Sequence, residues 1–277
     1  MCRHLAYLGP PRSLAELITG PPYGLYRQSW APRRQRHGTV NADGFGIGWY
    51  PGPRPGPTAP DGPPPAPARY RRSVPIWADI NLPDLARAVH SSAVLAAVRS
   101  ATPGTSQDEA AAAPYAAGRW LFSHNGAVDR WPGLPADTDW PLTPATLLSL
   151  EARCDSALLW AMTLGLLRDG TPPGDALAAV VRATAAVRPD ARLNLLLTDG
   201  RTIAATRCGD TLWWRTGTGP SGDAVLVASE PDSDTPEGWQ EVPEGSLLLA
   251  GPSGTQVQPL TARTASAATR RREDVRP

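Results

Sequence analysis

Apolar residues recur along this chain at strand spacing near both ends and at helix spacing in the middle. Cys2 to Leu8 is a short, mostly apolar run that begins almost at the terminus and reads as a strand ending at Gly9-Pro10-Pro11. Ser13-Leu14-Ala15-Glu16 has capping-box spacing and predicts a short helix. Residues 20–40 are broken up by Gly and Pro and carry Arg27, Arg33, Arg34 and Arg36. In Gly44 to Tyr50 (GFGIGWY) glycine alternates with large apolar residues, so one face of the predicted strand is bare and open to another backbone or a ligand. Residues 51–67 contain nine prolines and read as a loop, because proline removes the donors that a helix or ladder needs.

Ala93 to Val98 reads as a buried strand leading into Arg99, and Arg119 to Ser123 as another leading into His124-Asn125-Gly126. Two helical stretches follow, Asp155 to Leu167 and Asp175 to Val187. The last third reads as all-β: LNLLLT, TIAATR, TLWWR, AVLVAS and SLLLA, with an Asp199-Gly200 hairpin between the first two. Strands, central helices and more strands joined by short turns predict an α+β architecture of antiparallel sheets packed with helices. With no internal repeat and no linker, residues 2–260 read as one domain. Residues 261–277, with Arg270-Arg271-Arg272, read as a disordered tail.

Composition narrows the chemistry. The chain has 277 residues, 41% hydrophobic and 19% charged, as in an ordinary globular protein able to bury a sizeable core. It has no lysine, so all 27 cationic side chains are arginines, which excludes a Schiff-base lysine, a Walker lysine and a Ser-Lys dyad. A net charge of +1 gives no field to attract nucleic acid or anionic lipid. Cys2, Cys154 and Cys208 are odd in number. Neither they nor His4, His37, His90 and His124 have metal-ligand spacing, so no metal and no structural disulfide are expected. The N-terminus lacks the apolar core of a signal peptide, and the longest apolar-rich run, Ala157 to Leu167, is shorter than the ~18 residues of a membrane span. A cytoplasmic protein is expected.

Four features carry candidate chemistry. Removal of Met1 before a small residue would leave Cys2 with a thiol and a free α-amine, a nucleophile and a base on one residue. The strand that starts immediately afterwards would hold that terminus in a sheet. Asn125-Gly126 at a strand end reads either as a hairpin turn or as an oxyanion hole made of a side-chain amide and a backbone N–H. Arg99, in Arg99-Ser100-Ala101-Thr102-Pro103-Gly104, is either a solvated rim residue or a two-pronged carboxylate clamp. Asp155, after Cys154, is either a helix N-cap or an ammonium ligand.

MCRHLAYLG, NADGFGIGWY, RSATPG, WLFSHNG and CDSALL occur in an order and spacing that resembles the class II glutamine amidotransferases. These are N-terminal-nucleophile (Ntn) hydrolases with a four-layer αββα sandwich. VASEPDSD and GWQEVPEGSLLLA resemble that family's C-terminal strands, so the resemblance runs from Cys2 to about Leu260. It implies Cys2 as nucleophile and Asn125 and Gly126 as oxyanion hole. It further implies that Arg99 binds the glutamyl α-carboxylate, that Asp155 binds the α-ammonium, and that Thr102 completes the cradle. No cofactor and no metal are implied, His124 is structural, and Asn41 and Asp43 have no assigned role beyond shaping a loop near Cys2.

Within the family, RSATPGTSQDEAAAAPYAAGRWLFSHNGAV is most similar to the ergothioneine-pathway branch. That branch cleaves the γ-glutamyl amide of γ-glutamyl-hercynylcysteine sulfoxide, a small molecule that carries a trimethylammonium group. Trp30, Trp49, Trp120 and Trp131 are among the aromatic residues available to such a cation. A separate ammonia-accepting domain is not expected, which favours a free-standing hydrolase. Two alternatives stand beside this reading: a glutaminase subunit that supplies ammonia to a separate synthetase, and a non-catalytic interaction protein using its Pro-rich segment as a polyproline ligand. The oligomeric state is left open.

Overall fold

The computed structural model describes residues 2–52, 66–102, 104–217, 224–235, 237–251 and 254–260. Most of the proline-rich loop and the whole of 261–277 lie outside these residues. In chain order the strands are β1 (Arg3–Ser13), β2 (Phe45–Trp49), β3 (Ala68–Arg72), β4 (His90–Val98), β5 (Tyr115–Ala117), β6 (Trp120–Ala127), β7 (Arg192–Thr198), β8 (Ile203–Arg207), β9 (Trp213–Thr216), β10 (Val225–Ala228), β11 (Gln240–Glu241), β12 (Ser246–Gly251) and β13 (Gly254–Pro259). They form two antiparallel sheets, ordered β11-β9-β10-β1-β4-β2-β3 and β13-β12-β8-β7-β6-β5.

Strand periodicity divides the side chains among three apolar layers. Leu5 and Tyr7 of β1, with Val94, Ala96 and Val98 of β4, face outward onto Leu14, Leu17, Ile18, Leu25, Leu82 and Ala86 of short helical segments. Ala6, Leu8, Ala93 and Leu95 face inward and meet Leu121, Leu196, Ala205 and Leu248 of the second sheet. On that sheet's far side, Phe122, Leu193, Leu195 and Leu197 pack on the Asp155–Arg168 and Pro173–Val187 helices through Leu158, Leu159, Met162, Leu177 and Val181. Helix, sheet, sheet, helix is the expected four-layer αββα sandwich.

Two local expectations need correction. β1 does not end at Gly9-Pro10-Pro11. It runs on to Ser13 with a register shift against β4 between Leu8 and Arg12, and the prolines lie in the irregular stretch, where no ladder donor is required. The capping box is present: the Ser13 N–H donates to Glu16 Oε2 at 2.8 Å and the Glu16 N–H to Ser13 Oγ at 3.2 Å. It opens only one π-type turn, Ala15–Thr19, which runs into Gly20-Pro21-Pro22.

The bare face of β2 meets another backbone, as its glycines predicted. A Cβ on Gly46 would overlap the Ala113 carbonyl oxygen, and one on Gly48 would lie 2.7 Å from Leu121 Cδ1. Gly46→Ala is therefore expected to cost about 1–3 kcal/mol through forced backbone displacement. By contrast, Gly165, inside the Asp155–Arg168 helix with open space beside it, should gain roughly 0.5–1 kcal/mol as alanine. Urea unfolding midpoints of the two variants should move in opposite directions.

Candidate active site

β1, β4 and β6 bring the sequence-predicted residues to one end of the sandwich. Arg3 is the register partner of Val98, so Cys2, one residue before β1, lies beside the end of β4, where Arg99 follows. Cys2 Sγ is 3.9 Å from the Ser100 carbonyl oxygen. Burial pushes the Cys2 thiol above its ordinary value; the Arg99 guanidinium works against that shift and the Asp155 carboxylate adds to it. Both charges thus act at the sulfur.

His4 Nδ1 meets Ser123 Oγ at 3.2 Å across the gap between the sheets. Alternation puts Cys2 on the same face of its strand as His4, and Asn125 on the same face as Ser123. Ala6 and Leu8 share the middle core with Leu121, so the two strands run past each other in opposite senses. Two residues along from the His4–Ser123 contact, Cys2 and Asn125 fall at facing positions of the two strands.

Asn125 and Gly126 lie inside β6, paired with Asn194 and Leu193, and form no hairpin turn. The contrast between the two buried asparagines is informative. Asn194 donates to the Asp210 and Thr211 carbonyls at 2.9 and 3.3 Å and accepts from the Cys208 N–H at 2.9 Å. Asn125 is 0% exposed, and neither its amide nitrogen nor its amide oxygen has a hydrogen-bond partner. A buried unpaired amide costs on the order of 1–3 kcal/mol, so this side chain is not there for stability. At Gly126 a Cβ would overlap the Arg192 carbonyl oxygen and lie 2.6 Å from His124 Nε2, so only glycine lets β6 lie this close to β7.

Arg99 is buried, held by neutral oxygens: Nη2 donates to Ser106 O at 2.7 Å and Thr105 Oγ1 at 3.1 Å, and Nη1 to Asp43 O at 3.4 Å. Among the described residues it forms no ion pair. Thr105, which the sequence did not single out, touches the guanidinium. Thr102 contributes its backbone carbonyl, accepting from Thr105 Oγ1 at 2.7 Å. Asp43 fixes the turn after Arg99, its Oδ2 accepting from the Ala101 N–H at 2.7 Å, and the buried Asn41 donates to Gln28 O and Gln35 Oε1 at 3.1 and 3.0 Å.

Asp155 is the first residue of its helix; the cap position is Cys154. Its carboxylate accepts the Val128 N–H at 3.0 Å and the Ser156 N–H at 2.8 Å, again from neutral partners. His124 is held between Ser156 Oγ at 3.0 Å and the Arg192 carbonyl at 2.9 Å, a structural placement. Cys154 is buried with the Tyr115 hydroxyl 3.1 Å from its sulfur. The site therefore combines a thiol, an unpaired amide, and a cation and an anion that no ion partner among the described residues neutralises. Such a set suits covalent attack on a carbonyl next to a zwitterionic group.

Residues 24–226 match the family model "Glutamine amidotransferases class-II", and the chain belongs to that family. It is 40% identical over 260 residues to the γ-glutamyl-hercynylcysteine sulfoxide hydrolase of Mycolicibacterium smegmatis, covering 94% of this chain and 100% of that protein. The Mycobacterium tuberculosis protein of the same name is 39% identical, covering 94% and 97%. Among solved structures, a glutamine aminotransferase class-II domain protein from Silicibacter pomeroyi superposes with a TM-score of 0.64 at 24% identity, covering 94% of this chain and 100% of that one, which supports the fold.

Burial, with His124 and Arg3 nearby, pulls His4 down from 6.5 to about 3. The unfolded chain takes up this proton near pH 6.5, whereas the folded protein takes it up only near pH 3. The contribution is therefore complete above 6.5 and is lost as the pH falls towards 3, at up to about 1.4 kcal/mol per pH unit. His4→Gln should show a flatter decline of unfolding free energy across that window than the parent, measured by urea titration at each pH.

Proposed function

We propose that this protein is an amidohydrolase that cleaves the γ-glutamyl amide of γ-glutamyl-hercynylcysteine sulfoxide, in ergothioneine biosynthesis, giving glutamate and hercynylcysteine sulfoxide. After loss of Met1, the Cys2 α-amine takes the thiol proton and the sulfur attacks the γ-carbonyl carbon. The oxyanion that forms is held by the Asn125 amide and the Gly126 N–H. Collapse breaks the C–N bond, the α-amine returns the proton to the leaving amine, and a γ-glutamyl thioester remains on Cys2. Water then attacks the thioester, releasing glutamate and restoring the thiol.

Arg99 pairs with the glutamyl α-carboxylate and Asp155 with the α-ammonium, with Thr102 at the edge of the cradle. Because each is oriented by neutral dipoles, each keeps its charge for the ligand. The observation that carries the assignment is the wholly buried, unpaired Asn125 amide, in a chain 40% identical to a hydrolase of this name along almost its full length. A mechanism that needs a free thiol suits a reducing compartment, and we place the protein in the cytoplasm.

Glutamate release from γ-glutamyl-hercynylcysteine sulfoxide, measured beside L-glutamine, tests the reading. The conjugate should be preferred, and Cys2→Ala should abolish release. Asn125→Ala should lower kcat by about 10²–10³, and Arg99→Ala should act mainly through KM. Preference for glutamine would instead mark an ammonia-supplying glutaminase.

A further inference from the structure

Sheet order gives the site two flanks. β1 lies between β4, which ends at Val98 and continues into Arg99, and β10, which ends at Ala228 and continues into Ser229 and Glu230. Ser229 is locked to β1 through Ser229 N–H to His4 O at 3.0 Å and His4 N–H to Ser229 Oγ at 3.0 Å. Glu230 is buried against equally buried Arg3, with Oε2 3.6 Å from Arg3 Nη2. The same carboxylate accepts the backbone N–H groups of Arg33 at 3.0 Å and Arg34 at 2.7 Å. One anion therefore ties the residue next to Cys2 to the arginine-bearing segment.

That segment opens onto a cleft of about 330 Å³ lined by Arg33, Arg34, Pro231, Ser233 and Asp234. Arg33 is occupied: it lies over the Tyr23 ring at 3.6 Å, donates to the Ser233 carbonyl at 2.7 Å and pairs with Asp234 at 3.8 Å. Arg34 lies over the Trp213 ring at 4.6 Å and forms no ion pair among the described residues. A flat guanidinium stacked on an aromatic ring is a rigid donor for a carboxylate.

β4 leads into Arg99 on one side of β1, and β10 leads into Glu230 on the other. We infer that this cleft is the leaving-amine subsite, taking an amine that bears a carboxylate, with Arg34 as its carboxylate contact and Glu230 as the positioning residue for the segment. The inference rests on the amidohydrolase reading above and assigns the half of the substrate that Arg99 and Asp155 do not reach. A buried ion pair is seldom a net source of stability, so Arg3–Glu230 fits a positional role.

The test compares kcat/KM for γ-glutamyl-hercynylcysteine sulfoxide and for γ-glutamyl methylamide, whose leaving amine is too short to enter the cleft. Arg34→Ala, at an exposed position, should lower the conjugate-to-methylamide ratio at least tenfold, chiefly through KM for the conjugate. Glu230→Gln, checked for a native circular dichroism spectrum, should lower the same ratio. An unchanged ratio in Arg34→Ala, or an equal fall for both substrates, would overturn the subsite. If the parent enzyme cleaves neither substrate, the amidohydrolase reading falls and the subsite with it.

Discussion

A chain terminus ordinarily frays, because its first residues have neighbours on one side only and few hydrogen bonds to hold them. Here β1 is the middle strand of seven, paired with β4 and β10 along both edges from its first residues. Its two leading side chains are fully buried on opposite faces: Arg3 outward against Glu230, and His4 inward against Ser123. That clamp fixes the position of residue 2. Cys2 lies beside Arg99 because β4 is the neighbouring strand, and His4 ties the strand that follows it to the second sheet.

The clamp also lets the site keep unpaired polarity. Asn125 has an amide with no partner, and Arg99 and Asp155 are buried charges with no counter-ion in the described structure. Each is costly on its own, and three apolar layers offset the cost. Their supports are carbonyl oxygens and hydroxyls for the guanidinium, and N–H groups for the carboxylate. Neutral dipoles hold the orientation while leaving the net charge in place, whereas an ion pair between Arg99 and Asp155 would have fixed the geometry and removed the reason for it. Asn194, the cross-strand neighbour of Asn125, shows what a structural asparagine looks like: all of its bonds are made inside the protein.

Much of this was legible in the sequence where physics leaves a local trace. Buried strands such as β4 and β7 write apolar runs, the Asp199-Gly200 hairpin is at its predicted place with Gly200 at φ 83°, and the glycines of β2 do face another backbone. Strands at a sheet edge left no such trace. β3 (ARYRR) is half-exposed throughout, and β13 is largely polar, because an edge strand need not alternate. Thr105 and Glu230 were not singled out, because their roles arise from contacts with Arg99, Arg3 and Arg33 that depend on the folded chain. For Asp43 the sequence suggested a loop near Cys2; the contact with Ala101 supplies the reason.

The proton chemistry also follows from which groups are already engaged. Burial raises the Cys2 thiol, so at neutral pH the sulfur is mostly protonated and needs a base at contact distance. His124 has both ring nitrogens engaged, by Ser156 and by the Arg192 carbonyl. His4 holds Ser123 through Nδ1 and is pulled down to about 3, which makes it too weak a base for a thiol. Asp155 accepts two backbone N–H groups and, in the proposed assignment, faces the substrate ammonium. The base that the proposed mechanism uses is the α-amine of Cys2 itself, which exists only once Met1 is gone and whose ordinary pKa lies near 8. In the proposed mechanism methionine removal creates the general base, and the same buried strand would position both nucleophile and activator.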